Sequence, residues 1–143
     1  MNNLDKVIIY TDGACKGNPG KGGYGAVLQY KDIIKEINGF DENTTNNRME
    51  LMAVIESLKC LKRKVNIELY TDSLYVKNGI TLYIKKWRTT NYKNIKNKEL
   101  WQLLDQISSK HNIEWHWVKS HSAIPLNERA DYLANQAIIK NTF

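Results

Sequence analysis

The sequence predicts an α/β fold, a mixed sheet with helices packed against it, and three observations carry that prediction. Two apolar runs, Val7-Ile8-Ile9-Tyr10 and Val65 to Tyr70, both finish on Thr-Asp, so two strands end as Tyr10-Thr11-Asp12 and Tyr70-Thr71-Asp72. Runs of this length bounded by a turn signal read as strands buried on both faces, and ligands of open α/β sheets sit where such strands stop. After Gly25, the runs Ala26 to Tyr30 and Ile33 to Ile37 read as a hairpin returning beside the first strand. Apolar residues at helical spacing then alternate with the remaining strands, which lays helices on the sheet. One Asp at a strand end is an ordinary turn or cap residue; its duplication favours two carboxylates side by side at one sheet edge.

Taken in order, the first strand ends at Asp12-Gly13 and leads into glycines 17, 20, 22, 23 and 25. A phosphate-cradling loop would open a helix and carry Gly-Lys-Ser/Thr, so these glycines instead serve a tight turn and close backbone approach. Asp41 to Asn47 reads as a polar connection. A helix begins near Thr45-Asn46-Asn47, with Leu51, Val54, Ile55, Leu58 and Leu61 on one face. Glu50, in its first turn, has two readings: a capping box with Asn47, or an acid beside the sheet-facing positions. After Asp72 a short helix starts at Ser73 with Gly79 as its stop, followed by a helix through about Trp87 and a loop to Lys98. Leu100, Leu103, Leu104 and Ile107 mark another helix, and Ile113 to Val118 alternates as a strand. The loop Lys119 to Leu126 holds His121. The last helix presents Ala130, Leu133, Ala134, Ala137 and Ile138, with Asn127 as its expected cap and Asp131 near its first turn, where the helix dipole favours an acid.

The 143 residues fit a single domain over 1–143, with a core that needs no disulfide or structural metal. No apolar run approaches the roughly 18 residues of a membrane helix, and the opening Met-Asn-Asn-Leu-Asp-Lys places an acid where a signal peptide carries bases. The expected setting is the cytoplasm, with no membrane partner and with Cys15 and Cys60 as free thiols. The net charge of +6 is localised: Lys77 to Lys98 holds seven bases and no acid, so the remainder sums to −1. Lysine clusters are commonly solvated helix faces. Tyr83, Trp87 and Tyr92 interleave with Lys85, Lys86 and Lys93 here, a mixture suited to the charges, sugars and bases of a nucleic acid.

Four acids converge by this architecture, Asp12 and Asp72 at strand ends and Glu50 and Asp131 at helix starts. Clustered carboxylates need cations to stay ionised, and hard oxygen ligands suit Mg²⁺ or Mn²⁺. Beside a basic, aromatic surface, that fits two-metal hydrolysis of a phosphodiester. The motifs Tyr10-Thr11-Asp12-Gly13-Ala14-Cys15, Gly17-Asn18-Pro19-Gly20, Gly22-Gly23-Tyr24-Gly25, Thr44-Thr45-Asn46-Asn47-Arg48-Met49-Glu50-Leu51, Tyr70-Thr71-Asp72-Ser73, Trp117-Val118-Lys119-Ser120-His121 and Asn127-Glu128-Arg129-Ala130-Asp131 follow one another through essentially the whole chain. Together they resemble bacterial ribonuclease H of the type I family.

The resemblance implies a five-stranded mixed sheet flanked by helices on both faces, and a monomer with no obligate protein partner. It implies endonucleolytic cleavage of the RNA strand of an RNA/DNA hybrid with two Mg²⁺ ions, leaving 5′-phosphate and 3′-hydroxyl ends; Mn²⁺ would substitute. Asp12 would bridge the ions, Asp131 would help hold the one that activates water, and Glu50 and Asp72 the one at the leaving oxygen. His121 would assist proton transfer or product release. Asn18, Asn46 and Asn47 match positions facing the minor groove, where 2′-hydroxyls mark RNA. Thr45 and Asn97 match a pocket for a DNA-strand phosphate, and Lys77–Lys98 matches the family's basic protrusion. The chain departs from the family pattern at Ser120, where Gly is usual, at Ala123-Ile124, where Gly-His is usual, at Leu74, where an amide is common, and at Asn43, often Arg; the loop before Asn97 is short. Other readings are a polynucleotide transferase on the same kind of fold, a noncatalytic hybrid-binding module, which the four acids oppose, and a thiol enzyme built on Cys15 and His121.

Overall fold

The computed structural model describes residues 6–142, so the opening segment considered for a leader lies outside the described residues. Five strands, β1 (Lys6–Lys16), β2 (Gly20–Tyr30), β3 (Ile33–Thr44), β4 (Asn66–Thr71) and β5 (Asn112–Trp117), form one sheet in the order β3-β2-β1-β4-β5. The β1–β2 and β2–β3 pairs are antiparallel, and β1–β4 and β4–β5 are parallel. The helices are α1 (Asn46–Lys59), α2 (Leu74–Asn78), α3 (Ile84–Thr89), α4 (Lys98–Ser108) and α5 (Pro125–Lys140). The expected five-stranded mixed sheet with helices on both faces is what the chain forms: α1, backed by α4, covers one face, and α5 crosses β1, β2 and β3 on the other.

The two Tyr-Thr-Asp strands lie side by side in register. Tyr10 pairs with Tyr70 and Thr11 with Thr71, and the tyrosine rings stack 4.5 Å apart at an interplanar angle of 7°. Asp12 and Asp72 therefore stand side by side, Asp72 just past the end of β4 but Asp12 inside β1, which does not end there as expected and runs on to Lys16 paired with β2. Beneath them Ile9, Leu51, Val54, Ile55, Leu69, Trp101 and Leu104 are fully buried, each side chain contributing about 1.5–3 kcal/mol of apolar burial.

Several local expectations change. The two Asp-ended strands alternate in burial: Val7, Ile9 and Thr11, like Ile67, Leu69 and Thr71, face the α1 side, while Glu68 and Tyr70 are only partly covered, because α5 stops short of β4. Asp41 to Thr44 is strand, paired with Gly20 and Gly22 across a register shift. The chain does not stop at Gly79; it stays helical through a π-turn, Gly79–Tyr83, into α3. Helix α1 is capped by Thr45, whose hydroxyl accepts from the Arg48 N–H at 3.2 Å, so no Asn47–Glu50 capping box forms. Helix α5 starts at Pro125 after Ile124, and Asn127, expected as its cap, is buried inside the first turn.

Candidate active site

Two glycines let the helices bring their acids to the sheet. A Cβ on Gly13 would lie 2.5 Å from the Glu50 backbone nitrogen, and one on Gly25 would lie 2.5 Å from the Ala130 carbonyl oxygen. Without side chains there, α1 sets Glu50 against Asp12, and α5 sets Asp131, one residue past Ala130, within reach of Asp12 as well.

The result is an open cleft of about 370 Å³ lined by Asp12, Glu50, Asp72 and Asp131 together with His121, Ser120, Asn46 and Asn47. One carboxylate oxygen each from Asp12, Glu50 and Asp72 lies within 4.8 Å of the others. Asp131 groups in the same way with His121 and Glu128, and its carboxyl also reaches Asp12. Asp12 and Glu50 are buried, at 5% and 4% exposure, which a pair of carboxylates tolerates only with compensation. Burial first, then the neighbouring acids, pushes the Asp12 carboxyl far above the usual carboxylate range; Glu50 is raised by burial and by Asp72, against hydrogen bonds from Asp12 and the Gly13 backbone. Glu50 Oε2 is buried with no hydrogen-bond partner. An orphaned carboxylate oxygen among three other acids is a ligand set for a hard divalent cation. A separate cavity of about 340 Å³, at the opposite end of β1 near Val7, Leu28 and Leu61, has no acid in its lining.

Of the other expected residues, Asn46 and Asn47 line the cleft, and Asn18 joins them by accepting the Asn46 backbone N–H at 2.9 Å. Asn97 stands beside α1, where its amide donates to Tyr75 Oη at 3.0 Å and accepts from Arg48 Nη1 at 3.2 Å. Arg48 also pairs with Glu99 at 2.6 Å and, through its backbone, caps onto Thr45, so it links both residues expected at the DNA phosphate. Sequence reasoning assigned Arg48 no role, because its link to Thr45 depends on Thr45 capping α1 where the sequence pointed to Asn47. Nor did it assign one to Glu128, whose carboxylate lies 3.9 Å from His121 Nδ1. Lys85, Lys86, Lys93 and Tyr83 are exposed on the α3 side, and Trp87 is partly buried edge-on to Trp101. Tyr92 does not belong to that surface. It is 5% exposed, and its hydroxyl donates to Asp105 Oδ2 at 2.6 Å, so it is a core residue and no stacking platform. Asp105 also takes Arg88 in a two-point ion pair, which removes one charge from the basic segment.

The RNase H family model matches residues 4–139. The chain belongs to the ribonuclease H family. It is 58% identical over 139 residues to the ribonuclease H of Wolbachia pipientis wMel, covering 94% of this chain and 96% of that protein. To the ribonuclease H of Francisella philomiragia it is 54% identical over 143 residues, covering 96% and 94%. Among solved structures, LC9-RNase H1, described as a type 1 RNase H with the type 2 active-site motif, superposes with a TM-score of 0.89 at 30% identity, covering 95% of this chain and 73% of that one. LC11-RNase H1, solved in complex with RNA/DNA hybrid, gives 0.79 at 28% identity, covering 96% and 99%. This family member is thus a nuclease of the hydrolase class with an acidic cluster suited to metal. None of its described helices is long and apolar enough to cross a membrane.

Proposed function

We propose that the chain hydrolyses the RNA strand of RNA/DNA hybrids endonucleolytically, leaving 5′-phosphate and 3′-hydroxyl ends. The observation that carries this reading is the convergence of Asp12, Glu50 and Asp72 within 4.8 Å, with Asp131 in the same cleft, in a chain similar along its length to ribonucleases H. When bound, two Mg²⁺ ions, or Mn²⁺ in their place, would supply charge to the scissile phosphate and acidity to an attacking water. Asp12 and Asp131 would hold the ion that activates the water, and Asp12, Glu50 and Asp72 would hold the one that relieves charge at the leaving oxygen. His121, exposed on its loop at the cleft, assists proton transfer or product release. Asn18, Asn46 and Asn47 meet the 2′-hydroxyl side of the hybrid. Thr45 and Asn97 take a phosphate of the uncut strand. Lys85, Lys86, Lys93, Tyr83 and Trp87 orient the duplex without touching the reacting atoms. The two free thiols suit a reducing compartment, and we place the protein in the cytoplasm, as a single-domain monomer.

The test uses end-labelled RNA/DNA hybrid, double-stranded RNA and double-stranded DNA, each with Mg²⁺ and with EDTA. Cleavage of the hybrid's RNA strand in Mg²⁺ alone is the expected result, lost in Asp12→Asn while hybrid binding persists, since an amide keeps the shape but is a poor cation ligand. Equal cutting of double-stranded RNA, or cutting in EDTA, would refute the reading.

A further inference from the structure

We infer that Ser120 is a positioning residue for Asp72, through which the loop after β5 fixes the carboxylate of a cation ligand. Ser120 Oγ donates to Asp72 Oδ2 at 3.0 Å. The family resemblance leads one to expect glycine here, which has no side-chain donor, so this contact belongs to the chain's own sequence. The same segment grips the end of β4 at two further points: the Val118 N–H donates to the Thr71 carbonyl at 2.9 Å, and Trp117 Nε1 to the Asp72 carbonyl at 3.0 Å. Residues 117 to 120 thus hold Thr71-Asp72 first by backbone and then by carboxylate.

The chemistry of that last contact is specific. A carboxylate on a strand end turns about its Cβ–Cγ bond, and a hydroxyl donating to one oxygen fixes its plane while leaving acceptor capacity on both oxygens for a cation. Donors of this kind, standing behind the ligands of a metal site, typically account for about 10- to 100-fold in metal affinity or activity. The next residue, His121, sits at φ 54°, in the left-handed region. The inference rests on the proposed reading of Asp72 as a cation ligand.

The experiment is calorimetric titration of Mg²⁺ into the full chain, without nucleic acid, for the wild type and for Ser120→Ala, Ser120→Gly, Ser120→Thr and Asp72→Asn. Ser120→Ala and Ser120→Gly are expected to weaken Mg²⁺ binding alike, by about 10-fold, because both lose the hydroxyl although they differ in backbone freedom. Ser120→Thr, which keeps the hydroxyl, should stay within about 2-fold of the wild type, and the Mg²⁺ concentration giving half-maximal cleavage should move in parallel, with KM for hybrid unchanged at saturating Mg²⁺. If Asp72→Asn weakens binding and Ser120→Ala does not, the positioning role is overturned and the ligand reading stands. If Asp72→Asn leaves Mg²⁺ binding intact, the ligand reading fails and takes this inference with it.

Discussion

At Asp12 burial and the neighbouring acids act in one direction, against the hydrogen bond its Oδ1 accepts from the Gly13 N–H at 2.9 Å. Burial, Glu50 and Asp72 all oppose its charge, so the folded chain carries an electrostatic cost there that an amide of the same shape does not. Asp12→Asn is accordingly expected to raise stability by roughly 1–2 kcal/mol in metal-free buffer, read as a higher midpoint of thermal or denaturant unfolding, while cleavage is lost. A lower midpoint would mean that the carboxylate holds the cluster together instead of straining it. Tyr92 makes the opposite case. Tyr92→Phe removes only the hydroxyl that donates to Asp105 and should cost about 1 kcal/mol of stability, with hybrid affinity unchanged in a binding titration. The sequence makes the four acids readable because two of them close the same tripeptide after an apolar strand run, although β1 continues past Asp12 to Lys16, and the other two follow soon after helix starts, Glu50 in α1 and Asp131 in the second turn of α5. It does not make Tyr92 readable: an aromatic in a lysine-rich stretch looks the same whether it points outward or inward. Its partner, Asp105, belongs to a different helix.

At the scale of elements, the Arg88–Asp105–Tyr92 contact is what joins α3 and the loop after it to α4. The Arg88 guanidinium, more than the Tyr92 hydroxyl, holds the Asp105 carboxyl below its usual value of 3.8. Its contribution is therefore complete above that value and is lost as pH falls through the lower folded one. Burial, then Asp105, raises Tyr92 from 10.0 to about 12. That contribution is complete below 10.0 and disappears as pH climbs toward about 12. Unfolding midpoints measured from about pH 2 to 12 should show the wild type exceeding Asp105→Asn by a constant margin in the middle of the range, the margin closing at both ends; a margin that persists in acid would place the stabilisation elsewhere. Helices and strands are legible here as elements, from apolar periodicity, but not in their joints. Gly79 has the look of a stop and is a passage, and Asn127 has the look of a cap and is buried. In both cases packing that brings distant segments together overrides the local signal.

Across the whole molecule the positive field comes mainly from exposed lysines, because Arg88 is held by Asp105. Replacing Lys85, Lys86 and Lys93 together with Gln should lower hybrid affinity and flatten its dependence on salt, the logarithmic slope falling by about 0.7 to 0.9 for each phosphate that no longer meets a lysine, with turnover at saturating hybrid near normal. An unchanged slope would make the patch a solvated face. The fold class is legible because the chain's own order, three strands, a helix, a strand, helices, a strand and a helix, leaves few ways to close a mixed sheet; the α5 overlap that leaves β4 and β5 partly open is not, since it depends on how far one helix reaches. The order of the strands in space has a further consequence for the chain as it is made. The hairpins β1–β2–β3 can close as soon as they emerge, and α1 brings Glu50 soon after. Asp72 joins only when β4 docks beside β1, and Asp131, 119 positions after Asp12, comes with the last helix. A half-synthesised chain thus has strands, a partial core and two of the four acids, and the cleft is complete only when α5 lies down across β1, β2 and β3.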